Sequence, residues 1–488
     1  MVKELWKKIK KGVKAGMAAV RESNELTDNR IVKLISDFEA SDKMKWAKRG
    51  EQYYTVENDI LNRRMTRKVD GKEVEESYKS NNKLAHAKYK NQVDEKIAYL
   101  LSKPVTYKGE NEQYAEKVKT ILGKHFQHQL TELGYEATNK SIGWLHPYID
   151  ETGEFKTMVI PFEQCIPIWK DRTHLELTAF IRHYSSQIWE NNQLKTITNV
   201  EVWTEEGVTY YRLDGKLLIY DSINSRDEIG EVSHFKNNDT WQSWGKIPFI
   251  PFKNNWKEMP DIKAVKSLID GYDEGRSEAA NYVEDVKNLI FVLKGYGGTS
   301  LGEFMQDLNY YRAVKIDDPE DGGVDTITPT MDITAIQSHY EQLKRDIIED
   351  GQSVNKDLDK YGNSPSGVAL KFMYAGLDLK CNLLEAEFKI AFEMLLYFVD
   401  VYLEMKGLGS FKQEELELVF NRNMTINETE AIQNCKISEG TISNKTILAH
   451  HPFVNDVEEE LEAVKEQEEA EGPEWDKVPT KGSGVGEE

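Results

Sequence analysis

From Pro365 to Lys406 the chain holds one unbroken helical pattern of 42 residues, PSGVALKFMYAGLDLKCNLLEAEFKIAFEMLLYFVDVYLEMK. At about 1.5 Å per residue that is a rod of roughly 63 Å. An ordinary globular domain has no room for such an element, so the pattern implies a large assembly or an unusual scaffold. It is not a membrane span. Its richest apolar stretch, Ala391 to Met405, is short and broken by Glu393, Asp400 and Glu404, below the roughly 20 apolar residues that a bilayer demands. Gly376 is the expected bend.

The residues before this rod, GQSVNKDLDKYGNSPS (351–366), are polar and carry Gly351, Gly362 and Pro365. They read as a long exposed loop, and loops of this length in compact domains are commonly functional or disordered. Upstream again, Ile333, Ile336, Tyr340, Leu343 and Ile347 are spaced 3, 4, 3, 4 after the capping residue Asp332. Such an a/d seam over two heptads suits a packed helix. Another helix is expected over 261–288. There Gly271, Gly275 and Ala279 recur every fourth residue. Glycine costs about 1 kcal/mol in a helix interior relative to alanine, so its repetition on one face points to close approach of a neighbour, although a helix can also simply tolerate it. The stretch 289–331 between the two helices is broken: LIFVLKG and RAVKID read as strands, GYGGTS as a loop, LGEFMQDL as a short helix and DDPEDGG as an acidic turn.

The first half of the chain changes period midway. Residues 28–142 are mainly helical. One helix lies within Asn82 to Lys103, stopped by Pro104, and a second helical region covers Glu110 to Asn139. From Gly143 to Phe252, runs such as VEVWT, VTYYRLD and KLLIYD alternate with the turns TEEG and LDGK, the pattern of an antiparallel meander. ELELVF (415–420) reads as a further strand and NKTILAHH as part of a later helical region.

Length and composition bound the rest. The 488 residues allow two to four domains, and 39% hydrophobic content is enough to build cores. The net charge is −21, so the chain as a whole does not cling to phosphates and any nucleic-acid contact is local or weak. Residues 456–488 carry 13 acids against 3 bases, and the last of them read as disordered. Residues 1–20 are basic and amphipathic, with Leu5, Trp6, Ile9 and Val13 on one side. Contact with a membrane surface or nucleic acid is open to them, as is the blander reading of a solvated terminal helix. The segment lacks the apolar run of a secretory signal. Cys165, Cys381 and Cys435 form no disulfide framework and no zinc pair, which fits a reducing compartment.

Catalytic constellations fail one by one. GYGGTS (295–300) lacks the Lys-Ser/Thr of a P-loop. Asn355, Asp357 and Asp359 open like a calcium loop, but its glycine position holds Lys360 and its final glutamate position Ser366. His339-Tyr340-Glu341 has no PCxxC partner. His125 and His128 lack a third ligand at recognisable spacing. No catalytic residue, metal or cofactor is expected.

Taken in order, several stretches resemble the portal (head–tail connector) proteins of long-tailed bacteriophages of Gram-positive hosts. They are NQVDEKIAYLLSKPV (91–105) after Tyr53-Tyr54, IPFIPFKNN (247–255) leading into MPDIKAVKSLIDGYDEGRSEAANYVEDVKNLIFVLKGYGG (259–298), the helix from Asp332, NSPSGVALKFMYAGLDLKCNLLE (363–385) and GTISNKTILAHHPFVNDVEEELE (440–462). The resemblance covers roughly residues 30–470, and the middle block is its most specific part.

It implies an α+β, mainly helical portal fold assembled as a ring, twelve-fold in the virion. Residues 1–29 would be a basic N-terminal segment and 30–258 the wing. The helices 261–288 and 332–350 would be the stem, 289–331 the clip and 351–366 the tunnel loop. The long bent helix would be 367–406, the crown 407–470 and a disordered acidic tail 471–488. The implied partners are further copies of the chain, the terminase motor, a head–tail adaptor, the major capsid and scaffold proteins, and double-stranded DNA passing through without sequence preference. The implied location is the capsid portal vertex, with assembly in the host cytoplasm. Candidate channel residues are Asn355, Lys356, Asp357, Asp359 and Lys360. Candidate stem-packing residues are Gly271, Gly275, Ala279, Ile333, Ile336, Tyr340, Leu343 and Ile347. The competing readings are another minor capsid or scaffold protein, or a metal-dependent enzyme acting on nucleic acid.

Overall fold

The structure, a computed structural model, describes residues 26–69, 71–75, 80–190, 193–221, 233–237, 240–285, 290–294, 323–327, 333–354, 367–423, 428–454 and 457–471. The chain divides into two compact units, Met1–Ser353 with Leu377–Asn423, and Val354–Gly376 with Met424–Glu488.

The larger unit opens with helices α1 (Asp28–Glu39) and α2 (Asp42–Tyr54) and a small hairpin, β1 (Thr66–Val69) with β2 (Lys72–Glu75). Then come α3 (Lys88–Leu101), β3 (Thr106–Gly109), α4 (Glu112–Leu122) and α5 (Phe126–Lys140). The region expected as one helical stretch over 110–139 is thus two helices. Gly123 separates them at φ +66°, a left-handed conformation that ends α4 and that a side-chain-bearing residue rarely adopts.

The strands that follow are the expected antiparallel elements, divided between two principal sheets. β4 (Ile142–Ile149) is the centre of a three-stranded sheet, between β5 (Phe155–Ile160) and β13 (Ile250–Lys253). β6 (Cys165–Trp169), β7 (Leu177–Glu190), β8 (Gln193–Trp203), β9 (Val208–Asp214) and β10 (Leu217–Tyr220) form a five-stranded meander. In the chain, between β10 and β13, comes the hairpin of β11 (Phe235–Asn237) and β12 (Thr240–Gln242).

Strand alternation covers both faces of the meander. On one face Ile166, Ile181, Val200, Val202 and Leu218 pack against Ile31 and Ile35 of α1. On the other, Phe180, Trp203 and Cys165 join Trp144, Ile160 and Phe249 of the neighbouring segments. The Phe180 and Phe249 rings stack at 3.9 Å, and the Trp144 indole meets Phe180 edge-on at 4.9 Å.

Two long helices follow, α6 (Ile262–Asp285) and α7 (Ile333–Asp350). Between them the described residues contain one antiparallel pair, β14 (Ile290–Lys294) with β15 (Gly323–Ile327). β14 is the strand read in LIFVLKG. Its partner was not marked in the sequence, and GYGGTS, LGEFMQDL and RAVKID lie outside the described residues.

α8 (Gly367–Met405) runs 39 residues without interruption, and the division between the two units falls at Gly376. After it, β16 (Leu416–Val419) pairs with β3, some 300 residues earlier in the chain. Arg422 then reaches back to Asp378, Asn382 and Glu385 on α8.

The smaller unit holds the first residues of α8 together with α9 (Glu428–Ile437), α10 (Asn444–Ala449) and α11 (Val457–Glu471). Ser443 caps α10 by accepting from the Thr446 amide, and the Cys435 thiol lies 3.7 Å from the carbonyl of Ile447. No described helix is long and apolar enough to cross a membrane.

Candidate functional site

Pro260 breaks the chain after β13, and Asp261 stands at the start of α6. Its carboxylate is enclosed by three elements. Lys96 of α3 lies 3.1 Å away, Lys380 of α8 2.8 Å away, and the Asn254 amide donates at 2.7 Å. Lys96 is almost wholly buried and also donates to Asn254 Oδ1 at 2.6 Å. Lys380 donates to the Gly351 carbonyl at 2.9 Å, just past the end of α7.

One carboxylate therefore ties the start of α6 to α3, α8 and the end of α7. Both charge placements agree with the helix dipoles, since a carboxylate suits a helix N-terminus and an ammonium a C-terminus. Burial alone lifts the Asp261 carboxyl, but the ammonium groups of Lys380 and Lys96 reverse this and hold it below the ordinary carboxylate range. Burial pushes the Lys96 ammonium downward.

The end of α7 is held a second time. Gln92 Nε2 donates to the Ile347 carbonyl at 2.7 Å. A Cβ at Gly351 would collide with that same amide, which explains the glycine.

A second polar array runs along α6. Asp273, Ser277 and Asn281 lie at i, i+4 and i+8, and all three are buried. Each accepts a backbone N–H from the segment before α3, residues 82–86, which is thereby strapped along the helix: His86 to Asp273 at 3.2 Å, Leu84 to Ser277 at 2.9 Å and Asn82 to Asn281 at 2.7 Å. The match has a geometric cause. Two residues of extended chain advance about 6.6 Å, and one four-residue helical repeat about 6.0 Å. Asp273 also receives Asn58 Nδ2 at 2.5 Å and faces His86 Nδ1 at 2.7 Å. Desolvation still raises its carboxyl above the usual range.

α6 and α7 touch where a small residue permits it. Tyr340 Oη donates to the Gly275 carbonyl at 2.5 Å, and a Cβ on Gly275 would sit 2.7 Å from the Tyr340 ring. Around Gly271 a Cβ would meet open space, and Ala279 is half-buried. Tyr340 and Ile347 are buried, while Ile336 and Leu343 are half-buried. Ile333 begins α7. Asn355, Lys356, Asp357, Asp359 and Lys360 all lie outside the described residues.

The Asp261 cluster and the Asp273 row were missed from sequence, and the available signals were faint. Lys96 shares a helix face with Val93 and Leu100, which is odd for a lysine. Polar residues at every fourth position of α6 read equally well as a solvated face.

These buried charges are spent on one another. Burial pushes the Cys381 thiol up to about 11 and raises Cys165 as well, so neither is a poised nucleophile. Among the described residues no group of three His, Cys, Asp or Glu side chains could hold a metal ion. In these cross-braced helices the buried ionisable groups hold the elements in position. Comparison with known proteins gives the family of the chain. The model of the phage portal proteins of SPP1 Gp6-like type matches residues 40–474. The portal protein of Bacillus phage SPP1 is 32% identical over 454 residues, covering 92% of this chain and 88% of that protein. The portal protein of Clostridium phage phiCD119 is 33% identical over 424 residues, covering 84% and 90%. A chain from the neck of an empty GTA particle shares 10% identity and a TM-score of 0.39 over 75% of this chain, a likeness too slight to carry detail.

The chain belongs to the SPP1 Gp6-like portal family. Portal proteins are structural, non-enzymatic parts of the phage capsid, and this chain is the portal component of its virion.

Proposed function

We propose that copies of this chain, twelve in the virion, close into a ring around a hole that admits duplex DNA. The genome enters through the hole during packaging and leaves through it at ejection. The terminase motor and a head–tail adaptor dock on opposite ends, and the major capsid and scaffold proteins surround the ring during assembly in the host cytoplasm. The family match over residues 40–474 carries this reading.

In it, residues 30–258 are the wing, α6 and α7 the stem and 289–331 the clip. Residues 351–366 are the tunnel loop, 367–406 the long helix and 407–470 the crown. The contact between Tyr340 and Gly275 supports a paired stem. The channel wall is net acidic, as the charge of −21 per copy favours, so DNA slides rather than sticks. Lys356 and Lys360 give weak, sequence-independent contacts to its phosphates.

Negative-stain images of the assembled protein are expected to show a ring with an axial hole; a solid centre overturns the proposal. Exchanging Lys356 and Lys360 for Glu is expected to impair DNA translocation or retention. Unchanged packaging removes the loop's role.

A further inference from the structure

α8 has two apolar faces. The inner one, with Leu377, Cys381, Leu384 and Phe388, is covered by the rest of its own unit. On the outer one, Leu379 is 62% exposed, Leu383 52% and Ile390 39%, with exposed Ala386 between the last two. Their spacing of 4, 3, 4 is a heptad seam, the pattern by which a helix packs against another element. Beside it Leu383 lines a depression of about 220 Å³ together with Trp256 and Met259. Trp256 is 68% exposed and Met259 39%. Lys96, Asp261 and Lys380 also line this depression.

We propose that this outer face of α8, continued by Trp256 and Met259, is a contact surface for a second copy of the same chain. The inference rests on the ring reading above and names the surface that closes the ring. Three observations select the occupant. The exposed side chains present on the order of 500 Å² of apolar area, against about 800 Å² per partner in a standard interface. Trp and Met are residue types enriched in interface cores. Lys96 and Lys380 are spent on Asp261 in the floor of the depression, and the exposed charges of its lining, Lys257 and Asp350, balance. The patch is therefore locally neutral on a chain of charge −21, so further copies of the chain meet there without like-charge repulsion.

A closed ring uses a heterologous contact, so the neighbour meets this surface with a different face of its own. The pocket rim then supplies the anchor. Trp256 and Leu383 lose water together, while the charged floor stays paired within its own chain.

The test uses the full chain. L379E/L383E places two charges at exposed positions, so circular dichroism and the melting temperature are expected to stay as in wild type. Rings seen by negative stain and analytical ultracentrifugation are expected to fall at least tenfold in yield. W256A is the second variant and is expected to weaken assembly less. The third is L383C labelled with a benzophenone maleimide, which the buried native thiols permit. It is expected to give photo-crosslinks between copies, read as a dimer band.

Wild-type-like ring yield from both L379E/L383E and W256A overturns this surface and leaves the ring reading standing. Crosslinks confined to single chains, or to another capsid protein in assembled particles, also overturn it. Wild-type assemblies without any ring overturn the ring reading itself.

Discussion

The sheet core around Trp144 and the polar crossing around Asp261 are both buried, and they are held by opposite means. In the first, Phe180 and Phe249 stack their rings, and Trp144 and Trp203 meet them edge-on. Even His146 is kept neutral, its imidazole pushed down to about 3 by burial. In the second, two ammonium groups share one carboxylate, and helices α3, α6, α7 and α8 meet on it. Apolar packing is non-directional and rewards area. A buried charge cluster adds little net stability, but it penalises every arrangement in which a partner is missing. The sheet core accordingly makes the unit stable, and the polar crossing fixes how the long helices are placed.

Removing packing in the sheet core has the largest expected effect. Phe180→Ala should cost about 3–5 kcal/mol, because the wholly buried ring leaves a cavity. Chemical denaturation would measure it; a loss below about 1 kcal/mol would mean that the rings are not close-packed.

Asp261→Asn strands two buried ammonium groups and should cost about 3 kcal/mol at neutral pH. Lys96→Met leaves a one-to-one pair and should cost much less. The sign of the pH effect is fixed by the depressed carboxyl of Asp261. Its contribution is present above the unfolded value near 4 and is lost as pH falls toward the folded value. Wild type should therefore lose more stability than Asp261→Asn between pH 5 and pH 2. Parallel acid profiles for the two proteins would remove the electrostatic account.

The smallest effect concerns the row on α6. Ser277→Ala deletes one acceptor and leaves the Leu84 amide unpaired, a cost of about 1 kcal/mol. Hydrogen exchange should quicken at Leu84 more than at Val93, one element away. Uniform protection across both would dissolve the strap as a distinct device.

Much of this architecture was legible beforehand because it is local. The meander followed from period-2 alternation and its turns, and the 39-residue helix from an unbroken periodic run. Gly275 belonged to a visible repeat, although its meaning as a seat for Tyr340 depended on the other helix. What could not be read was long-range. Nothing in TYKG announces pairing with LELV some 300 residues later, since a short edge strand carries little register information.

By itself, the sequence determined the type and order of the long periodic elements, and the family, because periodicity and resemblance are properties of a linear string. Tertiary structure alone decided that Lys96, Asp261 and Lys380 form one buried group, that the polar row of α6 carries a strap, and that one side of α8 stays uncovered. Charge pairing and burial depend on distances across the fold, and residues far apart in the chain acquire those distances only when it closes.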